Sequence, residues 1–222
     1  MTILAVTGLA REAKIVAGPG VKTIVSGGDC ARAAELLEAA IGSSVSGVIG
    51  IGIAGALDPA LNPGDCIVAS AILSDDDWFA PDPLWVTRLV KRIPGAIHAP
   101  IAGTSAILMD AATKSALFHS SGASACDMES HIVARIANAR GIPFAALRTI
   151  ADRATSDLPA AARVALTADG NLNFRSVFAS VVASPAQIPA LIRTGRESNS
   201  AFYALFRCCR ALGVGLAGPD GG

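Results

Sequence analysis

Short apolar runs bounded by Gly, Pro, Ser or Asp punctuate the chain at residues 3–6, 22–25, 47–51, 66–72, 123–126 and 144–150. Each is nearly continuous in apolar character, which is the pattern of strands buried on both faces. Between them lie stretches with apolar positions at helical spacing, at 30–41, 83–91, 110–118 and 128–140, the last stopped by Gly141-Ile142-Pro143. This alternation predicts an α/β fold: a single-domain, three-layer α/β/α arrangement with a central mixed sheet. After Asp152 the pattern turns helical, at 159–168, 173–183 and 185–212. The domain is expected to span 1–215, and residues 216–222, rich in Gly, to form a disordered tail.

Length fits that picture, since a domain of 222 residues buries roughly 70% of the surface its unfolded chain exposes. Apolar residues make up 52% of the chain and the mean hydropathy is +0.51, but Arg, Asp or Pro interrupts every candidate membrane span. The apolar N-terminus lacks a basic leader segment, so it reads as a first strand and the expected location is the cytoplasm. Eighteen basic residues balance eighteen acidic ones without a basic block, which argues against a nucleic-acid partner. Five cysteines without C-x-x-C spacing, and His98, His119 and His131 without ligand spacing, predict neither a disulfide framework nor a metal site. Adjacent Cys208 and Cys209 read as core-facing thiols, because neighbours cannot readily meet disulfide geometry.

The chemistry-bearing residues cluster where strands end. Asp127-Met128-Glu129 falls where a helix begins, and Asp152 closes the run Arg148-Thr149-Ile150-Ala151. Glu12 stands a few residues beyond the first strand. Each carboxylate alone has an ordinary reading, as a surface Glu, a helix cap or a first-turn acid. Together they fall at the edge where open α/β sheets bind ligands. Ser26-Gly27-Gly28-Asp29 reads either as an anion- or ribose-binding nest or as a tight turn with Asp29 as N-cap. Gly50-Ile51-Gly52-Ile53-Ala54-Gly55 allows backbone to approach a flat ligand, or makes a crowded strand crossing. It is not a dinucleotide fingerprint, because it follows a later strand and leads to Leu57-Asp58-Pro59.

Asp127-Met128-Glu129, the Arg148–Asp152 run, Gly52-Ile53-Ala54-Gly55-Ala56 and Pro63-Gly64-Asp65 resemble, in order and spacing over residues 1–180, one known superfamily. It is that of the purine nucleoside phosphorylases and the methylthioadenosine/S-adenosylhomocysteine nucleosidases. Within it the chain looks most like the bacterial hopanoid-associated phosphorylases, through residues 7–13, the Ser26-Gly27-Gly28 loop and a C-terminal helix rich in Arg, Cys and Leu. The resemblance implies the nucleoside phosphorylase fold and cleavage of the N-glycosidic bond of a 5′-substituted adenosine, adenosylhopane, with release of adenine.

By the same resemblance Asp152 protonates the leaving purine, Glu129 binds the ribose hydroxyls, Met128 packs beneath the ribose and Glu12 activates water. Ala54, Gly55, Ile107, Leu108 and Ala151 are then expected around the substrate. Arg148 belongs with them as a cation orienting the acids. Relatives that use phosphate commonly carry an Arg shortly before a G-S-x-G stretch, where this chain has Val48-Ile49-Gly50-Ile51-Gly52-Ile53. Arg11, Ser26, Gly27 and Gly28 remain as phosphate candidates, and water or phosphate stays open as acceptor. No cofactor is implied. The remaining expectations are a homo-oligomer, and a C-terminal helix that lies over the pocket, at an interface or against a membrane surface. Residues 75–78, Asp75-Asp76-Asp77-Trp78, read as a flexible acidic loop. Two alternatives are a methylthioadenosine/S-adenosylhomocysteine nucleosidase and a nucleoside-binding protein without turnover.

Overall fold

The computed structural model describes residues 1–74, 77–163, 167, 169–171 and 173–219. The chain opens with β1 (Thr2–Thr7), α1 (Ala10–Val16), β2 (Val21–Val25), α2 (Cys30–Ala40) and the long β3 (Val45–Ala56). There follow β4 (Cys66–Ser74), β5 (Asp77–Phe79), α3 (Pro83–Arg92), β6 (Ile97–Gly103), α4 (Ala111–Ser121), β7 (Ala125–Asp127), α5 (Ser130–Arg140) and β8 (Phe144–Asp152). Helices α6 (Ala160–Arg163), α7 (Phe174–Ala183) and α8 (Ile188–Leu212) complete it, with short 3₁₀ turns at Pro185–Gln187 and Val214–Ala217.

The sheet is mixed. Strand β1 runs parallel to β2 and β3, β3 parallel to β8, and β6 parallel to β4 and β7. The pairs β3–β7, β4–β5 and β4–β8 are antiparallel. Following the pairings from β3 through β8, β4, β6 and β7 leads back to β3, so five strands close a ring.

Alternation along β1 explains the layers, because successive side chains leave a strand on opposite faces. Leu4 and Val6 join Leu37 of α2 and Val133 and Ile136 of α5 in one core. Ile3 and Ala5 join Val16 of α1, Trp85 and Leu89 of α3, and Leu205 and Leu212 of α8 in the other. Helices cover both faces, giving the expected single-domain α/β fold.

Several elements depart from their sequence-based bounds for local reasons. Strand β6 contains Pro100, which lacks an N–H and reads as a strand breaker. A register irregularity between Ala69 and Ile72 on β4 faces it, so the ladder skips that residue. The glycines at 50, 52 and 55 lie inside β3, which continues to Ala56 rather than ending at residue 51. Helix α5 starts at Ser130, two residues later than its pattern, because Asp127 Oδ1 accepts from the N–H groups of Glu129 (3.1 Å) and Ser130 (2.8 Å). Of the expected acidic loop, Asp77 and Trp78 belong to β5, and residues 75 and 76 lie outside the described residues. The helix expected at 159–168 is described only as α6, since 164–166 and 168 also lie outside them.

The C-terminal segment corrects the expectation of a disordered tail. Leu216 and Ala217 are 2% and 1% exposed. Trp85 Nε1 donates to Leu216 O at 3.0 Å, Arg88 Nε donates to Ala217 O at 2.9 Å, and Pro219 packs close to Gly47. Residues 220–222 lie outside the described residues.

Candidate active site

The C-terminal ends of the strands frame a cavity of about 220 Å³. Strand β3 contributes Ile53, Ala54 and Gly55; β7 contributes Cys126 and Asp127; β8 contributes Ala151 and Asp152. Gly8 and Leu9 follow β1, Gly28 follows β2, and Thr104, Ile107 and Leu108 follow β6. Met128, Glu129, Glu12 of α1, Lys114 of α4, and Thr194 and Ser198 of α8 close the lining together with Leu158 and Ala162. The three carboxylates expected to act, Glu12, Glu129 and Asp152, thus face one space. The expected neighbours Met128, Ala54, Gly55, Ile107, Leu108 and Ala151 surround it with them.

Glu12 is 1% exposed and sits at the third position of α1, where its Oε2 accepts from the N-cap Leu9 N–H at 2.8 Å, the half of a capping box that a leucine N-cap allows. Its Oε1 accepts from the Ile53 N–H at 2.7 Å, so two backbone donors fix the carboxylate while each oxygen keeps a lone pair. Burial pushes its pKa up to about 7; Arg148 and the two N–H donors oppose the rise and Glu129 adds to it. Gly52 is required beside it, because a Cβ there would lie 2.4 Å from Glu12 Oε1 and 2.9 Å from Arg148 Nη1.

Arg148 does not line the cavity, which corrects its place among the substrate-binding residues. Its side chain is 0% exposed and lies beneath the acids, with Nε paired to Asp127 Oδ2 and Nη2 3.5 Å from Glu129 Oε2. Nε and Nη2 also donate to Ser130 Oγ, which itself donates to Asp127. Burial works against the guanidinium charge, but Asp127, Glu129 and Glu12 outweigh it and raise its pKa. Glu129 accepts from Ser26 Oγ at 3.0 Å, and burial, partly offset by Arg148, raises its pKa.

At the other side Asp152 is 9% exposed and meets Lys114 Nζ at 2.5 Å. Burial raises the Asp152 pKa against the lowering effect of that ammonium. The neighbouring Arg153 turns away from it and reaches Glu197 and Asn62.

The candidate phosphate residues are not assembled into an anion site. Arg11 is exposed, donates from Nη1 to Asn199 Oδ1 at 3.0 Å and stacks its guanidinium 4.0 Å above the Phe202 ring, tying α1 to α8. Consecutive helical residues lie about 100° apart, so Glu12 points inward where Arg11 points out. Ser26 is buried and committed to Glu129. The Gly27 N–H goes to Gly8 O at 3.0 Å and the Gly28 N–H to Ser26 Oγ at 3.1 Å. Of the four, only Gly28 lines the cavity.

Lys114 escaped the sequence reading; Cys126, Asp127 and Ser130 appeared there only as parts of a strand, a motif and a helix, with no role of their own. The available signal for Lys114 was slight: it is the lone cation between Asp110 and Phe118. Among the described residues no group of three or more His, Cys, Asp or Glu side chains could hold a metal ion, and no helix is long and apolar enough to cross a membrane.

A sequence model of the phosphorylase superfamily matches residues 5–187. The chain belongs to this superfamily of enzymes. No curated protein matches the sequence. Solved structures share the fold of the superfamily member at low identity. The methylthioadenosine/S-adenosylhomocysteine nucleosidase of Neisseria meningitidis, complexed with methylthio-immucillin-A, is 13% identical at a TM-score of 0.71, covering 95% of this chain and 97% of its own. The corresponding nucleosidase of Helicobacter pylori is 15% identical at 0.67, covering 95% and 98%. Futalosine hydrolase of Helicobacter pylori is 15% identical at 0.66, covering 95% and 97%. At these identities the likeness is one of fold.

Proposed function

We propose that the cavity hydrolyses the N-glycosidic bond of a 5′-substituted adenosine and releases adenine. The observation that carries this reading is the convergence of Asp152, Glu129 and Glu12 on one cavity, with Met128 and small or aliphatic residues between them. As the glycosidic bond breaks, its electron pair passes to the base and the sugar takes on oxocarbenium character. Asp152 gives a proton to the purine, Glu129 holds the ribose hydroxyls and balances the positive charge, and water adds to the anomeric carbon as Glu12 takes its proton.

Water is favoured over phosphate as acceptor. A phosphate dianion needs free donors or a free cation, yet Arg11 is turned to α8 and the Gly27 and Gly28 N–H groups are occupied. Glu12 offers instead a fixed carboxylate whose pKa of about 7 suits a general base near neutral pH.

Leu9, Ile107, Leu108 and Leu158 make part of the lining apolar, which supports an apolar 5′ substituent. The finer assignment, a hopane-sized chain as in adenosylhopane, draws support from α8. Its residues Ile188, Ile192, Tyr203 and Phe206 share one face and are all exposed, an arrangement suited to a lipid surface or to another copy of the chain. The test is adenine release from methylthioadenosine and from an adenosine carrying a long apolar 5′ chain, each with and without phosphate. Hydrolysis predicts release indifferent to phosphate, faster with the long chain. Preference for methylthioadenosine would move the assignment to the small-substituent nucleosidases, release that requires phosphate would exclude water as acceptor, and no release from either would leave a binding protein.

A further inference from the structure

Lys114 lines the same cavity and takes no part in the proton transfers proposed for Asp152, Glu129 and Glu12. It is 1% exposed, and a lysine is almost never buried so fully unless paired. Its Nζ carries three donors and meets three acceptors: Asp152 Oδ2 at 2.5 Å, Arg153 O at 3.0 Å and Ser156 O at 2.9 Å. Every donor is committed, so the ammonium is held as a cation in one orientation. Helix α4 does not need it for its start, because Asp110 accepts from the Thr113 N–H at 2.8 Å and Asp157 from the Ala111 N–H at 2.8 Å.

Among the described residues Lys114 is the hydrogen-bond partner of Asp152, and it occupies Oδ2. Oδ1 is left for a ligand. It lies 3.4 Å from the position a Cβ would take on Gly55, with Cys126 Sγ nearby. Among the described residues that ammonium is the positive charge acting on the Asp152 carboxylate.

We infer that Lys114 is a positioning residue that makes Asp152 an effective acid. It points Oδ1 at the cavity and stabilises the carboxylate that forms when the proton leaves. The inference rests on the glycosidic reading above and extends it. The C–N electron pair moves to the base, the Asp152 Oδ1–H proton goes to a base nitrogen, and the negative charge left on Asp152 meets a cation already in place. Such stabilisation grows only as charge develops, so it lowers the barrier rather than strengthening substrate binding.

The dependence on leaving group separates this role from a scaffold role. Adenine needs a proton to depart, whereas 4-nitrophenolate leaves as a stable anion. Lys114→Met is expected to slow adenine release by about 10²–10³-fold, the range for one lost transition-state contact, with KM little changed. Release of 4-nitrophenolate from its β-D-riboside should fall less than about tenfold under the same principle. Lys114→Gln, which keeps a donor for the Arg153 and Ser156 carbonyls but carries no charge, guards against a folding defect and should show the same selective loss. Equal slowing of both substrates in both variants would assign Lys114 to the scaffold and overturn the inference, as would adenine release at the wild-type rate in the Gln variant. Wild-type protein that cleaves neither substrate would instead remove the glycosidic reading on which the inference stands.

Discussion

Ser26 Oγ donates to Glu129 Oε1 at 3.0 Å, joining residues 103 positions apart. From the other side, Arg148 Nη2 approaches Oε2 at 3.5 Å, so one carboxylate oxygen faces a hydroxyl and the other a guanidinium. A side chain gripped at both oxygens loses little freedom when a ribose arrives, which is what preorganisation requires. The Ser26 loop, one of the sequence candidates for phosphate, therefore orients an acid.

Removing that hydroxyl tests this role. Ser26→Ala leaves a buried carboxylate short of one donor, at a stability cost of about 1–3 kcal/mol. Release of adenine should fall about tenfold, the scale of one loosened contact of about 1.4 kcal/mol, whether or not phosphate is present. Activity lost only in phosphate-containing buffer would return Ser26 to an anion site.

Arg148 is the counter-charge for a buried set of acids, and its loss should be felt first in folding. Arg148→Met strands Asp127 and Glu129, both under 10% exposed, without their cation. Breaking one side of such a buried arrangement costs about 3–5 kcal/mol. Urea unfolding at pH 7 should show that drop in midpoint. A variant as stable as wild type would mean that the acids are neutral in the folded protein.

Much of this site could be read from sequence because it is built at strand ends. Residues 144–150 gave a buried strand, so Asp152 had to appear at its edge, and Glu129 followed another short run in the same way. Residues whose roles depend on distant packing were hidden. Lys114 sits on a short helix with a serine, a threonine and two alanines nearby, which reads as solvated; only the approach of the segment after β8 buries it. Arg11, a phosphate candidate in the sequence beside Glu12, is sent by the helix in a different direction from that acid and out to α8. Pro100 hid β6 because the irregularity that accommodates it lies on another strand.

Gly52 reports how closely Glu12 and Arg148 are packed. Gly52→Ala would place a methyl 2.4 Å from Glu12 Oε1 and against Arg148 Nη1, so the carboxylate must leave the Ile53 N–H. Overpacking of this kind costs about 1–3 kcal/mol, and adenine release should fall about 10²-fold or more because displacement at a reacting group is severe. A crystal structure of the variant should show Glu12 rotated. An active Gly52→Ala protein would separate Glu12 from the attack of water.

Glu12 should couple stability and activity to pH in opposite directions. Its carboxyl has a pKa of 4.5 when unperturbed and about 7 in the folded protein, so between these values the folded state binds the extra proton. Its contribution to stability is therefore complete below pH 4.5 and is lost as pH rises through about 7. A shift of that size corresponds to about 3 kcal/mol. Glu12→Gln cannot titrate, so the unfolding free energy of wild type relative to this variant should decline by about that amount across the same window. Activity runs the other way on the acid side, since only the ionised Glu12 accepts a proton from water: kcat/KM should climb as pH rises towards about 7, and fall again at higher pH as Asp152 loses the proton it must donate. A rate profile flat from pH 5 to 8, alongside a stability difference that still titrates, would keep the buried acid in the fold and take it out of the chemistry.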